Sequence, residues 1–476
     1  MSSNIPIPFV GPPNQRGTGT GDQRFVNVLF ETIPNEALRQ QIVYCTKRPG
    51  LSNSTQPPAG AATGRGLYAW GATGKIYSVF ANKIYSGTTD LAVTLAASTG
   101  RVWWAERPVS TGTQHLIMSD GADNYNITTV DGITQIDATD DADYPASNLG
   151  PIVYLDGYLL QATSNGRIYN SDLNSAVAWT STGFLTADTH GGALEAIHLL
   201  SDDQVLAFTK NRINFFFNNG NPTGSPLLRH KQNTFKVGLA TKNSLAFSGD
   251  TICFVAENAS DGDGGRAVYM ISPGKGKMIS SPAINRFLAA EGTNISTCTA
   301  WMERVAGQLI YVLNLDGAER TFVFFPETLL PPVEWEIAAG GAKFNGIAAT
   351  SLNGTVYVQD ATNGRIYTLS PTVFQDSGAN FTDTRQTSRS DFGSTHRKFN
   401  PSLSLLGDTT TGSMTVAVSD NDYSSFTTVG TIDLSQPIKR LYKLGSFYNR
   451  AYRFTYADNF ALRLQAYIPE ISEASR

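Results

Sequence analysis

The amino-acid sequence predicts an all-β protein: a β-propeller of six or seven four-stranded blades, with an extended N-terminal arm before it and a C-terminal β-sandwich after it. Short apolar runs separated by Gly, Asn, Asp and Ser fill residues 66–369, the pattern of consecutive strands joined by turns. The string Gly-Lys/Arg-Ile-Tyr opens such a run at residues 74–77, 166–169 and 364–367, which indicates a repeat. The 44 Gly and 22 Pro in 476 residues favour turns and strands over long helices.

The first element is a predicted N-terminal arm over residues 1–60. This segment is rich in Pro, Gly, Asn, Thr and Gln and contains one apolar run, residues 25–30, which predicts a strand between loops. We expect Phe25, Val28 and Phe30 to anchor the arm by adding this strand to the C-terminal sandwich. Both chain ends would then meet in one platform.

The predicted propeller spans residues 61–371. Its repeat is measured from a basic or amide residue that follows a turn and opens a strand, at Lys75, Asn124, Arg167, Arg212, Arg266, Arg320 and Arg365. The six intervals average about 48 residues, the length of a four-stranded blade. All seven matches predict seven blades, and six follow if the Asn124 match is spurious. A closed ring of small sheets leaves few exposed strand edges, which protects a long all-β chain from aggregation.

Residues 372–476 are predicted to form a C-terminal β-sandwich. Apolar and polar residues alternate in runs such as residues 402–406, 414–418 and 452–456, as in strands with one packed and one wet face. From residue 377 onward the chain has 11 Lys and Arg against 9 Asp and Glu, so this segment carries +2 and the rest of the chain −6. A basic sandwich is therefore expected beside an acidic propeller.

Residues with catalytic or metal-binding chemistry are few, and no catalytic, cofactor-binding or metal site is predicted. His190 and His198 stand eight residues apart with Glu195 between them, which falls short of the three or four convergent ligands of a zinc site. Residues 261–265 resemble the start of a calcium loop, but Ser272 occupies the position of its bidentate glutamate. Neither a Gly-x-Ser-x-Gly elbow nor a phosphate-binding Gly-x4-Gly-Lys-Ser/Thr loop occurs in the sequence.

Net charge and hydropathy exclude several function classes. With 36 Lys and Arg against 40 Asp and Glu, the chain carries a net charge of −4 and is not predicted to bind nucleic acid tightly on its own. Neither a secretion signal nor a run of 18 apolar residues is recognised, so no membrane span is expected. Cys45, Cys253 and Cys298 are expected to be small buried side chains without disulfides, which suits a reducing cytoplasm.

Four segments carry a resemblance to a known family. They are the arm RFVNVLFETIPNEALRQQIVYCTKRPGL (24–51), with its Val-Asn strand, acidic loop and Arg-Pro-Gly turn, the blade edge YNSDLNSAVAW (169–179), the hairpin LSDDQVLAFTKNRINFFFNNG (200–220) and the basic strand KRLYKLG (439–445). Together they resemble the tail nozzle or hub proteins of short-tailed bacteriophages, which are also called packaged-DNA stabilisation proteins.

The resemblance implies a virion component of a short phage tail, assembled in the host cytoplasm. It implies a homo-oligomer, expected to be a homohexamer, that lies below the portal and its adaptor ring and forms a channel. The channel would retain the packaged genome and conduct it during ejection, with transient, non-specific contact to double-stranded DNA. Tailspike or fibre proteins and a needle or plug protein would dock on it. The resemblance implies no enzymatic activity, no cofactor and no membrane insertion.

Seven basic residues of the sandwich are the predicted contacts to the adaptor, to neighbouring subunits or to passing DNA: Arg385, Arg389, Arg397, Lys398, Lys439, Arg440 and Lys443. Two other functions are compatible with a propeller. A glycan-binding or glycan-degrading propeller would aim carboxylates down its central channel, and the sequence leaves such paired acids open. A cellular protein-interaction propeller would be a monomer with a peptide-binding face and no arm.

Overall fold

The computed structural model describes eleven segments of the chain. They are residues 6–10, 23–35, 40–53, 60–110, 113–187, 192–201, 203–221, 223–257, 265–273, 275–338 and 342–473. Strands dominate these segments, and the longest helix in them has nine residues. Within the same segments, no helix combines the length and apolar character needed to cross a membrane.

Five strands precede the first blade. In chain order they are β1 (Ile7–Pro8), β2 (Arg24–Val26), β3 (Val28–Asn35), β4 (Gln40–Lys47) and β5 (Gly50–Asn53).

Four four-stranded sheets follow. Their strands are β6 (Gly64–Trp70), β7 (Lys75–Phe80), β8 (Lys83–Ser86), β9 (Thr89–Thr94), β10 (Trp103–Ser110), β11 (Thr113–Ser119), β12 (Asn124–Thr128), β13 (Ile133–Ile136), β14 (Asn148–Leu155), β15 (Tyr158–Thr163), β16 (Arg167–Ser171), β17 (Trp179–Thr186), β18 (Leu194–Leu200), β19 (Gln204–Thr209), β20 (Ile213–Asn218) and β21 (Leu227–Phe235).

The next part contains the helices. Its strands are β22 (Gly238–Leu239), β23 (Ala246–Ser248), β24 (Thr251–Glu257), β25 (Ala267–Ser272), β26 (Lys275–Met278), β27 (Thr299–Val305), β28 (Gln308–Leu315), β29 (Arg320–Phe324), β30 (Val333–Glu334), β31 (Gly346–Leu352), β32 (Thr355–Asp360) and β33 (Ile366–Ser370). The helices are α1 (Pro282–Ala290), which Ser281 caps, and two 3₁₀ helices, Lys242–Ser244 and Gly292–Thr297.

Ten strands complete the chain. They are β34 (Gln375–Asp376), β35 (Ala379–Asn380), β36 (Asp383–Gln386), β37 (Lys398–Gly407), β38 (Ser413–Ser419), β39 (Thr427–Asp433), β40 (Arg440–Tyr442), β41 (Ser446–Phe447), β42 (Ala451–Tyr456) and β43 (Arg463–Glu473).

The described strands form a β-propeller, which confirms the predicted all-β propeller class. Six blades are separate sheets: β6–β9, β10–β13, β14–β17, β18–β21, β22–β26, and β31–β33 completed by β5. In the described part of the chain a seventh four-stranded unit, β27–β30, continues into a nine-stranded sheet. The central cavity is lined by residues of β6, β10, β14, β18, β23, β27 and β31, one inner strand from each unit.

Tight hairpins connect the first and second strands of several blades. The two turn residues have positive φ at Asp156-Gly157 (48° and 94°), Ala306-Gly307 (50° and 81°) and Asn353-Gly354 (50° and 78°). Two consecutive left-handed residues make a type I′ turn, whose twist matches that of the flanking strands. The Gly-containing turns in the sequence therefore lie at the positions where the hairpins form.

The basic or amide residue from which the repeat was measured opens a different strand in the first blade than in the other blades. Asn124, Arg167 and Arg320 each open the third strand of their blade, whereas Lys75 opens β7, the second strand. The equivalent residue in the first blade is Lys83, which opens β8. The choice of Lys75 as the repeat position of this blade was wrong, because the string Lys-Ile-Tyr occurs twice in it, at residues 75–77 and 83–85.

The N-terminal and C-terminal strands are built into the same two sheets, which we call the platform. It consists of the seven-stranded sheet β3-β4-β43-β37-β40 with β1 and β41, and of strands β2, β36, β42, β38 and β39 of the nine-stranded sheet. One apolar cluster runs from the platform into the last two blades, with Phe30 packed on Phe325 at 5.4 Å between ring centroids. The boundary predicted at residue 60 falls between β5, in the last blade, and β6, in the first.

The three cysteines provide a test of this packing. Cys45, Cys253 and Cys298 are free and fully buried. Burial raises the pKa of Cys45 to about 12 and raises the pKa of the other two thiols as well, so all three stay protonated at pH 8. We expect no rapid reaction of the folded protein with Ellman's reagent at pH 8, and three thiols per chain after unfolding in guanidinium. Rapid labelling of the folded protein would contradict the packing.

Candidate assembly surfaces and central channel

The last blade is closed by a strand from the N-terminal segment. β5 pairs antiparallel with β33, and Leu51 lies opposite Leu369. Leu51 is buried in the apolar cluster shared by the platform and the last blades. At Gly50, an added Cβ would stand 2.2 Å from the carbonyl oxygen of Gln375, so this close approach requires glycine. The closure joins residues 50–53 to the far end of the propeller.

The three predicted anchor residues of the arm lie in the interior of the chain. Phe25, Val28 and Phe30 are all buried, and the rings of Phe25 and Phe30 meet edge to face at 5.3 Å. β2 pairs antiparallel with β36, so Phe25 lies opposite Arg385. On its other side β2 pairs parallel with β30, a strand of the propeller. The anchoring strand therefore links the platform to the propeller within one chain.

A buried arginine holds this junction together. Arg48 forms an ion pair with Asp376 at 2.6 Å and donates to the side-chain oxygen of Asn27 at 2.8 Å. Its guanidinium lies 3.8 Å from the centre of the Phe381 ring. The sequence indicated an Arg-Pro-Gly turn here but carried no sign that the arginine is buried, because its partners lie in distant parts of the chain.

Three of the seven basic contact candidates are buried, which corrects their assignment as surface contacts. Arg385 forms an ion pair with Asp383 at 2.7 Å, and both side chains are fully buried. The Nζ of Lys398 donates to the carbonyl oxygen of Ser394 at 2.6 Å. Lys439 is also buried and donates to the carbonyl oxygen of Gly407 and the hydroxyl of Thr409, both at 3.2 Å. These cations bind neighbouring groups of their own chain.

The other four basic candidates, Arg389, Arg397, Arg440 and Lys443, are exposed on the platform. Arg389 forms an ion pair with Asp422 at 3.1 Å, and Arg397 donates to the hydroxyl of Ser446. Arg440 lies in β40, the last strand of its sheet, and Lys443 follows that strand directly. The exposed positive charge near β40 is therefore accessible to a partner.

Exposed apolar side chains flank Arg440, and we call Leu406, Ile438, Arg440 and Tyr442 the edge patch. Tyr442 lies opposite Ser402 and Arg440 opposite Ser404, so these side chains share the face on which Leu406 lies. The next pair continues the ladder, since the backbone N–H of Leu405 donates to the carbonyl of Lys439 at 2.9 Å. Leu406 is 41%, Ile438 72% and Tyr442 62% exposed. Arg440 donates to the hydroxyl of Ser404 at 2.7 Å on this face, between Ile438 and Tyr442. The sequence singled out Arg440 by its charge but not its apolar neighbours, because alternation alone does not say which face of a strand is covered.

The propeller encloses a central cavity of about 320 Å³. Aromatic side chains from several blades line it, among them Tyr68, Trp104 and Tyr154. The rings of Tyr68 and Trp104 stack at 5.7 Å with an interplanar angle of 22°, and the Tyr68 hydroxyl donates to Glu106 Oε1 at 2.9 Å. Burial, with Glu106 nearby, raises the pKa of Tyr68, so its hydroxyl remains a donor at neutral pH.

A second carboxylate and a histidine also line the cavity. Burial raises the pKa of Glu303, although hydrogen bonds with Ser351 oppose the shift. His198 packs on Phe247 with 3.9 Å between ring centroids. Burial and the charge of Arg101 lower the pKa of His198 to about 3, so its ring is neutral at physiological pH.

The other chemical candidates from the sequence do not form a centre in the described residues. His190 and residues 261–264 lie outside the described segments, so the structure does not report on them. Among the residues that it describes, no group of three or more His, Cys, Asp or Glu side chains is placed to hold a metal ion. His198 faces the propeller cavity described above.

The fold and its surfaces define a β-propeller protein whose N-terminal and C-terminal strands share a single platform. The chain belongs to the phage stabilisation family, whose model bears the description "Bacteriophage P22 Gp10, beta-propeller" and matches residues 15–374. It is therefore a bacteriophage structural protein, as the resemblance in the sequence led us to expect. No curated protein matches the chain.

Solved structures with a similar arrangement are distant in sequence. The extracellular domain of the putative one component system BT4673 from B. thetaiotaomicron is 12% identical, with a TM-score of 0.44 over 83% of this chain and 47% of that chain. Virginiamycin B lyase from Staphylococcus aureus is 14% identical, with a TM-score of 0.43 over 68% of this chain and 98% of that chain. This chain thus spans about half the length of the first structure and nearly all of the second.

Proposed function

We propose that this protein is the nozzle or hub of a short phage tail. In this proposal several copies, six by the family resemblance, form a ring below the portal and its adaptor. The ring retains the packaged DNA and conducts it during ejection. Tailspike or fibre proteins and a needle or plug protein dock on its outer surfaces. Membership of the phage stabilisation family supports the structural role.

The edge patch is the observation that most directly supports the formation of a ring. Leu406, Ile438 and Tyr442 are exposed apolar side chains at the last strand of a sheet, and Arg440 lies among them. Apolar, aromatic and arginine side chains are the types that dominate the centres of protein interfaces. An edge strand with such a surface also risks uncontrolled pairing unless a partner covers it. We therefore assign the edge patch to the contact between neighbouring copies.

The charge of the chain supports a conduit rather than a DNA clamp. Each phosphate that a Lys or Arg neutralises adds affinity through counterion release, and tight contacts would slow ejection. The chain carries −4, and Arg385, Lys398 and Lys439 bind groups of their own chain. Four of the seven basic candidates remain exposed in the described platform, so fewer cations are available to DNA than the sequence indicated.

The test is assembly of the full chain carrying Ile438→Ser and Tyr442→Ser together. We expect the wild-type protein to form rings with a central hole in electron micrographs, and the double variant to sediment as a monomer because it loses the apolar contact. Val130→Ser is the matched control, since Val130 is 85% exposed in the propeller and outside the edge patch.

The melting temperature of each variant should stay close to that of the wild type, because these side chains contribute little to the core of the monomer. Rings that persist in the double variant would remove the edge patch from the interface. A wild-type protein that stays monomeric, also when mixed with its portal and adaptor, would overturn the nozzle proposal.

A further inference from the structure

We propose that the central cavity of the propeller is a binding site for a ligand that carries a primary ammonium group on an alkyl chain. The cavity has a volume of about 320 Å³ and is lined by all seven inner strands. This volume accommodates a short aliphatic amine or a lysine side chain. The proposal goes beyond the nozzle function and does not depend on ring assembly.

The first support is the charge of the cavity wall. Glu106 accepts a hydrogen bond from Tyr68, and in the described part of the chain neither Glu106 nor Glu303 forms an ion pair. Among the described residues, Arg101 is the one Lys or Arg that lines the cavity, and its guanidinium donates to the carbonyl of Leu245 at 2.7 Å. Two carboxyl groups against one guanidinium give the lining an excess of acidic side chains, which carries negative charge when they ionise. A cationic ligand compensates this charge.

The positions of these groups along the strands separate them. Arg101 precedes β10 by two residues, whereas Glu106 is the fourth residue of that strand. Five residues of extended chain span roughly 16 Å. Glu303 is the fifth residue of β27, the inner strand of another blade. Glu106 therefore stands several strand residues beyond Arg101 along the cavity wall.

Aromatic rings supply the second support. Tyr68 and Trp104 stack and both line the cavity, as does Phe247, which is 41% exposed. The faces of such rings attract cations, most strongly where water is excluded. Their apolar surface also packs against the methylene groups of an alkyl chain. An aromatic wall beside unpaired carboxylates thus matches both ends of an alkylammonium ligand.

The third feature of the cavity wall is a neutral imidazole. His198 is only 9% exposed, lines the cavity and forms no hydrogen bond with another described residue. Burial and the charge of Arg101 lower the pKa of His198, so its ring is neutral and adds no positive charge to the cavity wall.

A neutral sugar fits these observations less well. Its hydroxyl groups would donate to the carboxylates and its ring would stack on an aromatic face, but it would leave the net negative charge uncompensated in a partly buried site. The ammonium ligand satisfies the same acceptors and supplies the positive charge. For this reason the observations favour the cation, and the sugar serves as the contrasting probe.

The experiment is calorimetric titration of the full chain in 0.15 M salt with two ammonium probes. Spermidine represents a free polyamine, and the peptide acetyl-Gly-Lys-Gly-amide represents a lysine side chain of a partner protein. We expect at least one of them to bind with one site per chain. Binding of spermidine alone assigns the site to a free amine, and binding of the peptide assigns it to a partner's lysine. Methyl glucoside is expected not to bind.

The variant that tests the carboxylates is Glu106→Gln with Glu303→Gln, which removes both charges and keeps the side-chain volumes. We expect the affinity to fall at least about tenfold, since charge-assisted hydrogen bonds are lost. Glu473→Gln is the matched control. Glu473 is exposed at the end of β43 in the platform and does not line the cavity. Its affinity should equal that of the wild type.

The single variants Glu106→Gln and Glu303→Gln cover the case in which the double variant fails to fold, and each melting curve is recorded beside its titration. The proposal is overturned if neither probe binds to the folded wild type, if the double variant binds as tightly as the wild type, or if methyl glucoside binds as tightly as the ammonium probes.

Discussion

Arg48→Met is expected to lower the melting temperature of the protein by several degrees. Methionine preserves much of the packing against Phe381, but it leaves Asp376 without its counter-charge in a buried site. It also removes the hydrogen bond to Asn27, whose side chain in turn accepts from the backbone N–H of Glu336. Removing one partner of a buried ion pair costs about 3–5 kcal/mol. Differential scanning calorimetry of the full chain measures the effect.

The matched control for this prediction is Arg304→Met. Arg304 forms an ion pair with Glu327 in which both side chains are about half exposed. Exposed pairs contribute at most about 1 kcal/mol, so this variant should melt close to the wild type. Equal melting temperatures for the two variants would show that the junction around Arg48 does not stabilise the fold.

Leu51→Asp is expected to open the propeller at its closure. Leu51 is buried in β5, the strand that completes the last blade, and it lies opposite Leu369. The substitution removes apolar packing and places an unpaired carboxylate in the core, which together cost at least about 3 kcal/mol. β5 contributes four paired residues to this blade, so its release exposes the edge of β33.

Limited proteolysis and calorimetry together measure the effect. We expect the variant to melt earlier and to be cut faster in residues 50–53 than the wild type. Val130→Asp places the same charge at an 85% exposed site and should change neither property. A Leu51→Asp variant as resistant to protease as the wild type would show that the blade stays closed without this contact.

The propeller could be predicted from the sequence because its hairpins are local. Asp156-Gly157 and Asn353-Gly354 stand between apolar runs, and a two-residue turn determines which residues pair on either side of it. The same local reasoning failed in the first blade, where Lys75 and Lys83 open consecutive strands with the same residues after them. A repeated string identifies a hairpin strand without stating its place in the blade.

The residues of the candidate sites were harder to predict from the sequence than the fold. The basic residues near the C-terminus could be found by charge, but Arg385 and Lys398 have partners that bury them. Conversely, Leu406 and Tyr442 have the pattern of ordinary strand residues in the sequence. Only the arrangement of the sheet shows that both side chains are exposed. The cavity pair Tyr68 and Glu106 comes from two different blades, 38 residues apart in the chain.

By itself the sequence determined the all-β class, the turns and the approximate repeat, since alternation and turn residues act over a few neighbouring positions. Only the tertiary structure decided that β5 closes the last blade, that β2 links a blade to the platform, and that Arg48 is paired with Asp376. These contacts join residues about 300 positions apart, and the residues between them carry no local signal of the pairing. Their stability comes from burying apolar surface and charge partners together, which happens only once the ring of blades has closed.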